Sequence, residues 1–143
     1  DWPNVLELAR ANAEAAGVAE RWSGLAGDAL TTDLGTGYDT VLLPNFLHHF
    51  DAETCTRFLE RVREAMTAAG RVVIVEYVPE EDRVSPSAPA WFAVQMLATT
   101  PAGDAHTLAE YTAMLTAAGF TEPTAHKVAG AARQVLVAER RVR

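Results

Sequence analysis

Two adjacent histidines, His48 and His49, follow a short apolar run and a Pro-Asn break, and their position suits acid–base chemistry. The apolar run, residues 41–43, is typical of a strand buried on both faces of a parallel sheet. In open α/β sheets, ligands bind beyond the carboxyl ends of such strands. Histidine titrates near neutral pH, so His48 can take a proton from a hydroxyl group. A histidine that only packs at a strand end explains the pattern equally well.

The same pair is a poor candidate for a shared metal ion. Neighbouring side chains of an extended segment point to opposite faces, so we expect His48 and His49 to point apart and expect no metal site. The sequence also lacks Cys-x-x-Cys, His-Glu-x-x-His and Walker patterns. Its Gly35-Thr36-Gly37 stretch precedes a strand, as a turn does, whereas a dinucleotide-binding loop follows one.

Glu76 lies near the end of a strongly apolar segment, residues 71–78, after four consecutive aliphatic residues. A carboxylate in that place is rarely buried without a partner. If the strands that lead to His48 and Glu76 are neighbours, their carboxyl ends bring the two side chains together. Glu76 would then hold the second imidazole nitrogen and stabilise the imidazolium. An exposed glutamate at a strand end is the alternative.

Two aspartates, Asp1 and Asp28, are further candidates. Asp28 follows a weak predicted strand, where it could accept hydrogen bonds from a ligand or simply belong to a turn. Asp1 would end a preceding strand, where an acidic side chain binds ribose hydroxyls in nucleotide sites. Taken alone, Asp1 is only the first residue of the chain.

Composition excludes some partners. The 143 residues carry a net charge of −7 with a pI near 5.0, which argues against nucleic acid and anionic membranes. The basic cluster Arg140, Arg141 and Arg143 is interpreted as a solvated tail. The single cysteine, Cys55, excludes an internal disulfide and fits the reducing cytoplasm. The sequence has no signal peptide and no apolar run of about 20 residues.

Periodicity predicts an α/β fold whose elements follow the order α-β-β-α-β-α-α-β-β. The first helix starts near Pro3, the second after the N-cap Asp51, and the last with a capping box at residues 107–110. Three Ala-Ala-Gly stretches, ending at Gly17, Gly70 and Gly119, are predicted to close helices. Another helix covers residues 88–99, and the predicted strands cover 22–25, 38–43, 71–78, 121–128 and 133–139. The last two are joined so tightly that they must be antiparallel.

Four stretches together resemble the S-adenosylmethionine-dependent O-methyltransferases that act on small molecules, the group of plant caffeic-acid-type enzymes and bacterial antibiotic-tailoring enzymes. They are Asp-Trp-Pro-Asn-Val-Leu-Glu at 1–7, Gly-Asp-Ala at 27–29, Asn-Phe-Leu-His-His-Phe at 45–50 and Gly-Arg-Val-Val-Ile-Val-Glu at 70–76. The resemblance covers nearly the whole chain. It implies a Rossmann-like class I methyltransferase sheet with an antiparallel terminal hairpin, lacking its first strands.

The resemblance also implies roles for named residues. His48 would deprotonate the acceptor hydroxyl and Glu76 would brace it. S-adenosylmethionine, which leaves as S-adenosylhomocysteine, would be the cofactor, with no metal; the implied cofactor-binding residues are Asp1, Trp2, Asp28, Ala29 and Asn45. The implied substrate-binding residues are His49, Phe92, Met96 and Thr100. The expected partner is a small, aromatic or natural-product acceptor, and we expect no nucleic acid, no membrane, a cytoplasmic location and a homodimer in the full-length protein.

The sequence departs from the family pattern at several points. A second carboxylate that braces the histidine in the plant enzymes falls at Ala105, and a lysine near the cofactor falls at Pro44. The Gly-rich loop and the helical dimerisation domain are absent. We therefore expect residues 1–143 to be the C-terminal part of one catalytic domain, in which the 38–43 strand exposes an apolar edge. Alone, this part should bind S-adenosylhomocysteine poorly and be inactive.

Three alternative functions remain at this point. The first is a methyltransferase of the same fold that acts on carbon or nitrogen. The second is a non-catalytic, methyltransferase-like module, which would bind ligand without turnover. The third is a nicotinamide-dependent dehydrogenase, against which the antiparallel terminal hairpin argues.

Overall fold

The computed structural model describes residues 1–141 of the chain. The predicted tail residue Arg143 lies outside the described residues. The described part divides into two units, Asp1–Gly35 and the chain from Thr36 onwards. Its helices and strands are α1 (Pro3–Ala15), β1 (Tyr38–Pro44), α2 (Ala52–Ala65), β2 (Met66–Glu76), α3 (Ser87–Thr99), α4 (Leu108–Ala117), β3 (Thr124–Lys127) and β4 (Gln134–Glu139).

The first unit is built on α1. Pro3 occupies the first helical position, where its missing N–H has no intrahelical partner to lose. Gly17 follows the helix with a φ of 69°, so this glycine takes the left-handed backbone predicted for it. Two hydrogen bonds then tie the start of the chain to residues 25–27: the Asp1 amino group donates to the Leu25 carbonyl, and the Gly27 N–H donates to the Asp1 carbonyl, each at 2.9 Å.

The second unit contains a mixed four-stranded sheet in the order β1-β2-β4-β3. β1 and β2 are parallel, whereas β4 runs antiparallel to both β2 and β3. The antiparallel terminal hairpin is therefore confirmed. In β2, Val72 and Ile74 are fully buried, and they lie opposite Ala138 and Leu136 of β4, which are buried too. One face of the sheet thus carries the core.

Helix α2 follows the His48 segment, and a side-chain cap fixes where it begins. The Asp51 side chain accepts the Thr54 N–H at 2.7 Å, which is the predicted N-cap. α2 packs against α4, which begins with the predicted capping box of Thr107 and Glu110. The buried face of α2 consists of Cys55, Phe58, Leu59, Val62 and Ala65. None of the helices within residues 1–141 is long and apolar enough to cross a membrane.

Three local predictions are wrong. In the described part of the chain, residues 22–25 belong to no strand; they follow a short 3-10 turn, Ala19–Arg21, and no neighbouring strand pairs with them. Gly70 does not close α2, because Met66 is already extended and starts β2. β1 is not buried on both faces. It is an edge strand with Leu42 59% exposed, so the predicted apolar edge is present.

Candidate active site

His48 and Glu76 meet at the carboxyl ends of the two parallel strands. β1 ends at Pro44 and leads into a 3-10 turn, Leu47–His49, while Glu76 is the last residue of β2. His48 Nδ1 lies 2.7 Å from Glu76 Oε2, with the histidine 6% exposed and the glutamate fully buried. The contact predicted from the sequence is therefore confirmed, because β1 and β2 are neighbours in the sheet.

The other oxygen of Glu76 holds the backbone of the same turn. Oε1 accepts the N–H groups of Phe46 at 2.8 Å and Leu47 at 3.0 Å. With two N–H groups donating to Oε1, the carboxylate acts as a hydrogen-bond acceptor in this turn. His48 Nδ1 therefore donates to Oε2, and the proton-accepting lone pair of the neutral ring lies on Nε2. This arrangement gives His48 the tautomer and the nearby negative charge that a general base needs.

The 3-10 turn also corrects the predicted orientation of the two histidines. The segment is not extended, so the side chains do not point to opposite faces: the ring centroids of His48 and His49 lie 4.3 Å apart. Partial burial lowers the pKa of His49, and the neighbouring His48 lowers it further, whereas Glu76 opposes the shift. The exposed His49 is therefore biased towards its neutral form.

The 3-10 turn Leu47–His49 is held by Cys55 of α2 and by the loop between α3 and α4. Cys55 Sγ donates to the Leu47 carbonyl at 3.2 Å, and burial raises the pKa of this thiol to about 12, so it stays protonated. In the loop between α3 and α4, the Asp104 N–H donates to the His48 carbonyl at 3.0 Å. A Cβ on Gly103 would overlap that same carbonyl oxygen, so only glycine allows this approach.

An open, largely apolar cleft of about 560 Å³ lies next to this pair. Phe92 links the two: its ring meets His48 edge-on at 4.7 Å between centroids and stacks on Tyr77 at 4.2 Å. The cleft can therefore bring an aromatic ligand into the neighbourhood of the His48 ring. Its lining consists of Tyr77, Ala88, Trp91, Phe92, Val94, Gln95, Ala98 and Ala132.

Of the predicted substrate-binding residues, only Phe92 belongs to this lining, whereas His49, Met96 and Thr100 lie outside it. Met96 is buried, and its carbonyl accepts a hydrogen bond from the Thr100 hydroxyl at 2.8 Å. The same hydroxyl accepts the Gly103 N–H at 2.7 Å. Met96 and Thr100 thus hold the loop that backs His48, and their predicted contact with the acceptor stays a prediction.

The predicted cofactor residues of the first unit lie near one another at one end of α1. The Asp1 carboxylate accepts the Trp2 N–H at 2.8 Å, and the Asp1 carbonyl is bonded to Gly27, which precedes Asp28 and Ala29. Asp28 is exposed, and its Oδ1 accepts the Leu30 N–H at 2.9 Å. Each carboxylate keeps an oxygen that can accept from a ligand hydroxyl or amine, so these two acceptors fit the hydroxyl and amine donors of a nucleoside.

Asn45, the remaining predicted cofactor residue, belongs to the second unit and has an unexpected partner. Its backbone is left-handed, with a φ of 53°, a conformation that asparagine tolerates better than most residues. Its Oδ1 accepts the Arg133 Nε–H at 2.6 Å. The guanidinium carbon of Arg133 also lies 4.6 Å from the Tyr77 ring centroid.

Sequence reasoning missed Tyr77, Gly103 and Arg133. Tyr77 directly follows Glu76, so the rule that ligands bind beyond strand ends could have identified it. Gly103 and Arg133 reach His48 and Asn45 from distant parts of the chain, and their types alone carry no such signal. Ala105, where the plant enzymes have a second carboxylate, is fully buried, so in the described residues Glu76 alone braces His48.

Comparison with known proteins places this geometry in a family. The sequence model of the O-methyltransferase domain matches residues 1–121. The chain is 34% identical over 122 residues to the 3-hydroxy-5-methyl-1-naphthoate 3-O-methyltransferase of Streptomyces sahachiroi, which covers 85% of this chain and 35% of that protein. The chain therefore spans about a third of the length of the curated relatives it matches.

Solved structures agree. A candidate O-methyltransferase from Nostoc punctiforme has 46% identity and a TM-score of 0.95 over 98% of this chain and 43% of its own. PigF, an S-adenosyl-L-methionine-dependent methyltransferase of Serratia, was solved with S-adenosylhomocysteine; its TM-score is 0.85 at 30% identity, over 98% of this chain and 41% of its own. These likenesses confirm the predicted fold class. With its sheet, its His48–Glu76 pair and a family model that matches most of its length, this chain belongs to the O-methyltransferase domain family.

Proposed function

We propose that the protein containing this chain transfers a methyl group from S-adenosylmethionine to a hydroxyl group of a small aromatic or natural-product acceptor, with His48 as general base. The observation that carries the proposal is the buried pair of His48 Nδ1 and Glu76 Oε2, 2.7 Å apart. Membership of the family supports the reaction class, and the relatives' names support hydroxyl acceptors.

The proposed proton transfer follows from the tautomer of His48. The acceptor hydroxyl would lose its proton to His48 Nε2 as its oxygen takes the methyl group, while the sulfur–methyl bond breaks and S-adenosylhomocysteine leaves. The imidazolium that forms would face the Glu76 carboxylate. The cofactor, when bound, supplies an already activated methyl group on a sulfonium. The protein therefore contributes mainly position and one proton transfer, and general-base help of this kind is worth about 10²–10⁴ in rate.

The cofactor assignment rests on the first unit. Asp1, with Trp2, would bind the ribose hydroxyls, and Asp28 with Ala29 would bind the adenosine. The exposed Asp28 carboxylate and the bonding of Gly27 to Asp1 support this division of roles. The resemblance adds a homodimer and a cytoplasmic location, which sedimentation and fractionation of the gene's full product would test.

The acceptor assignment rests on the cleft beside His48. Its apolar lining and its two stacked rings, Tyr77 and Phe92, favour a flat aromatic acceptor. We extend the proposal to His49, Met96 and Thr100 as further residues that contact the acceptor. That a relative acts on a hydroxylated naphthoate agrees with this substrate class.

Replacing His48 tests the proposal directly, in the protein as encoded by its gene. His48→Ala should lower kcat by about 10²–10⁴ and leave the affinity for S-adenosylhomocysteine unchanged, because the base contacts the acceptor proton only. His126→Ala, which removes an exposed histidine of β3, is the matched control and should keep full activity. Full turnover in His48→Ala, or a product methylated on carbon or nitrogen, would contradict the proposal.

A further inference from the structure

Arg133 lies at the same edge of the sheet as His48 and Glu76, although it comes from the terminal hairpin. It directly precedes β4, whose first residue, Gln134, pairs with Glu76 in the antiparallel register. The start of β4 therefore meets the carboxyl end of β2, and Arg133 is carried to the edge where ligands bind in this architecture.

Two contacts fix the guanidinium there. Its Nε donates to Asn45 Oδ1 at 2.6 Å, so Arg133 reaches across the end of β2 to the residue that follows β1. Its carbon lies 4.6 Å from the centroid of the Tyr77 ring, within the range of a cation–π contact. An exposed arginine ordinarily samples many rotamers, whereas these contacts hold its planar group in one place.

The charge of Arg133 is nevertheless unbalanced. Some basic side chains of this acidic chain have carboxylate partners: Arg83 pairs with Asp104 and Glu110, and Lys127 pairs with Glu80. Arg133 has no carboxylate partner within residues 1–141. Because Asn45 takes only Nε, the two terminal nitrogens of the guanidinium keep their donors for another acceptor.

The neighbours of Arg133 connect it to the cleft. Tyr77, which it covers, and Ala132, which precedes it, both line that cleft. Phe92 stacks on Tyr77 and touches His48. A ligand with its apolar part in the cleft could thus present an anionic group to Arg133.

We propose that Arg133 binds the carboxylate of a ligand at this edge of the sheet, through its free terminal nitrogens. A guanidinium matches the two oxygens of a carboxylate, and such charge-assisted bonds are among the strongest in proteins. This inference rests on the proposed function, which supplies two sources of the carboxylate. They are an aromatic acceptor that carries a carboxylate and the amino acid end of the cofactor.

Calorimetric binding distinguishes the two sources without requiring any methyl transfer. In the protein as encoded by its gene, one pair of probes is 3-hydroxy-2-naphthoate and its methyl ester, and the other is S-adenosylhomocysteine and 5′-methylthioadenosine. In at least one pair, the probe with the carboxylate should bind about ten- to a hundred-fold more tightly. Arg133→Gln should abolish that preference and leave the affinity for the neutral probe unchanged.

Two further variants separate recognition from folding. Arg133→Lys keeps the charge but loses the planar fork, so it should retain only part of the preference. Arg71→Gln removes an exposed arginine at the other end of the 71–76 ladder and should retain all of it. The pair in which the preference appears identifies the source.

Three results would overturn the proposal. They are a carboxylate preference that survives in Arg133→Gln, an equal loss of affinity for both members of a pair, and the lack of any preference in the wild-type protein. Loss of the preference in Arg133→Gln without methylation of any hydroxyl by the wild type would refute the proposed function and leave the binding site standing.

Discussion

The carboxylates of Glu76 and Asp28 have opposite surroundings, although both are candidate site residues of one family. Glu76 is fully buried, and its three hydrogen bonds come from residues 28 to 30 positions earlier in the chain. Asp28 is exposed and accepts from a backbone N–H only two positions away. The first carboxylate is positioned by the tertiary fold, and the second by a local turn.

This difference separates two kinds of functional residue. A buried charge without partners is expensive, so Glu76 and the groups bonded to it depend on one another for stability. The exposed Asp28 can be changed at little cost to the fold, which leaves ligand binding as the property that it controls. Substitutions around Glu76 should therefore change stability and turnover together, whereas those around Asp28 should change affinity alone.

Replacing Glu76 should have the largest effect. Glu76→Ala leaves two backbone N–H groups and the His48 ring without their partner, and we expect a loss of about 3–5 kcal/mol in the free energy of unfolding. Glu76→Gln keeps the shape, but its amide donates to Nδ1 and so forces the proton of the neutral ring onto Nε2. We expect kcat to fall about 10³–10⁴-fold in this variant. Chemical denaturation and steady-state kinetics measure the two effects.

Glu60→Gln is the control for both substitutions, since Glu60 is an exposed carboxylate of α2. It should change neither quantity. Wild-type turnover in Glu76→Gln would show that the tautomer of His48 does not control kcat. It would also contradict the expectation that substitutions around Glu76, unlike those around Asp28, lower turnover.

Gly103→Ala should have the next largest effect. The added methyl group would overlap the His48 carbonyl, and the loop must shift, at a cost of about 1–3 kcal/mol. Because the loop also donates the Asp104 N–H to that carbonyl, the turn should move and kcat should fall with it. Ala102→Gly, the adjacent change in the opposite direction, should leave kcat unchanged. Equal kcat values for the two variants would show that the loop does not position His48.

Asp28→Ala tests the other side of the comparison. Asp28 and Asp33 each accept the N–H of the residue two positions on at 2.9 Å, so replacing either should cost the same, about 1 kcal/mol or less. Only Asp28→Ala should weaken S-adenosylhomocysteine binding, by at least about ten-fold. Identical affinities of the two variants in calorimetry would remove Asp28 from the cofactor site.

The smallest effect concerns His49. Partial burial, and then the nearby His48, lower the pKa of His49 below its ordinary value of 6.5. The folded state therefore disfavours protonation, so this contribution to stability is present above pH 6.5 and decreases as the pH falls below it. An NMR titration of the imidazole should show the lowered pKa, and in His48→Gln the pKa should rise only in part, because burial remains. A value at or above 6.5 in the wild type would contradict this account.

Local signals predicted much of the fold and the centre of the site. Asp51 and Thr107 predict the starts of their helices, because their side chains cap the first turn. A histidine and a glutamate that each follow an apolar run predict the ends of neighbouring strands. The strand predicted at residues 22–25 was wrong because strand formation depends on a partner strand, which a short apolar segment does not specify. The positions of Gly103 and Arg133 depend on contacts about 55 and 88 residues apart in the chain, which no local pattern encodes.

The two backbone N–H groups that hold Glu76 should lower the energy barrier of the proposed proton transfer to His48. When His48 becomes an imidazolium in the proposed reaction, the carboxylate facing it is already oriented by Phe46 and Leu47. Water around a base in solution must turn its dipoles as the charge appears, whereas here that reorganisation energy is largely absent. The dipoles were aligned when the chain folded, long before an acceptor arrives.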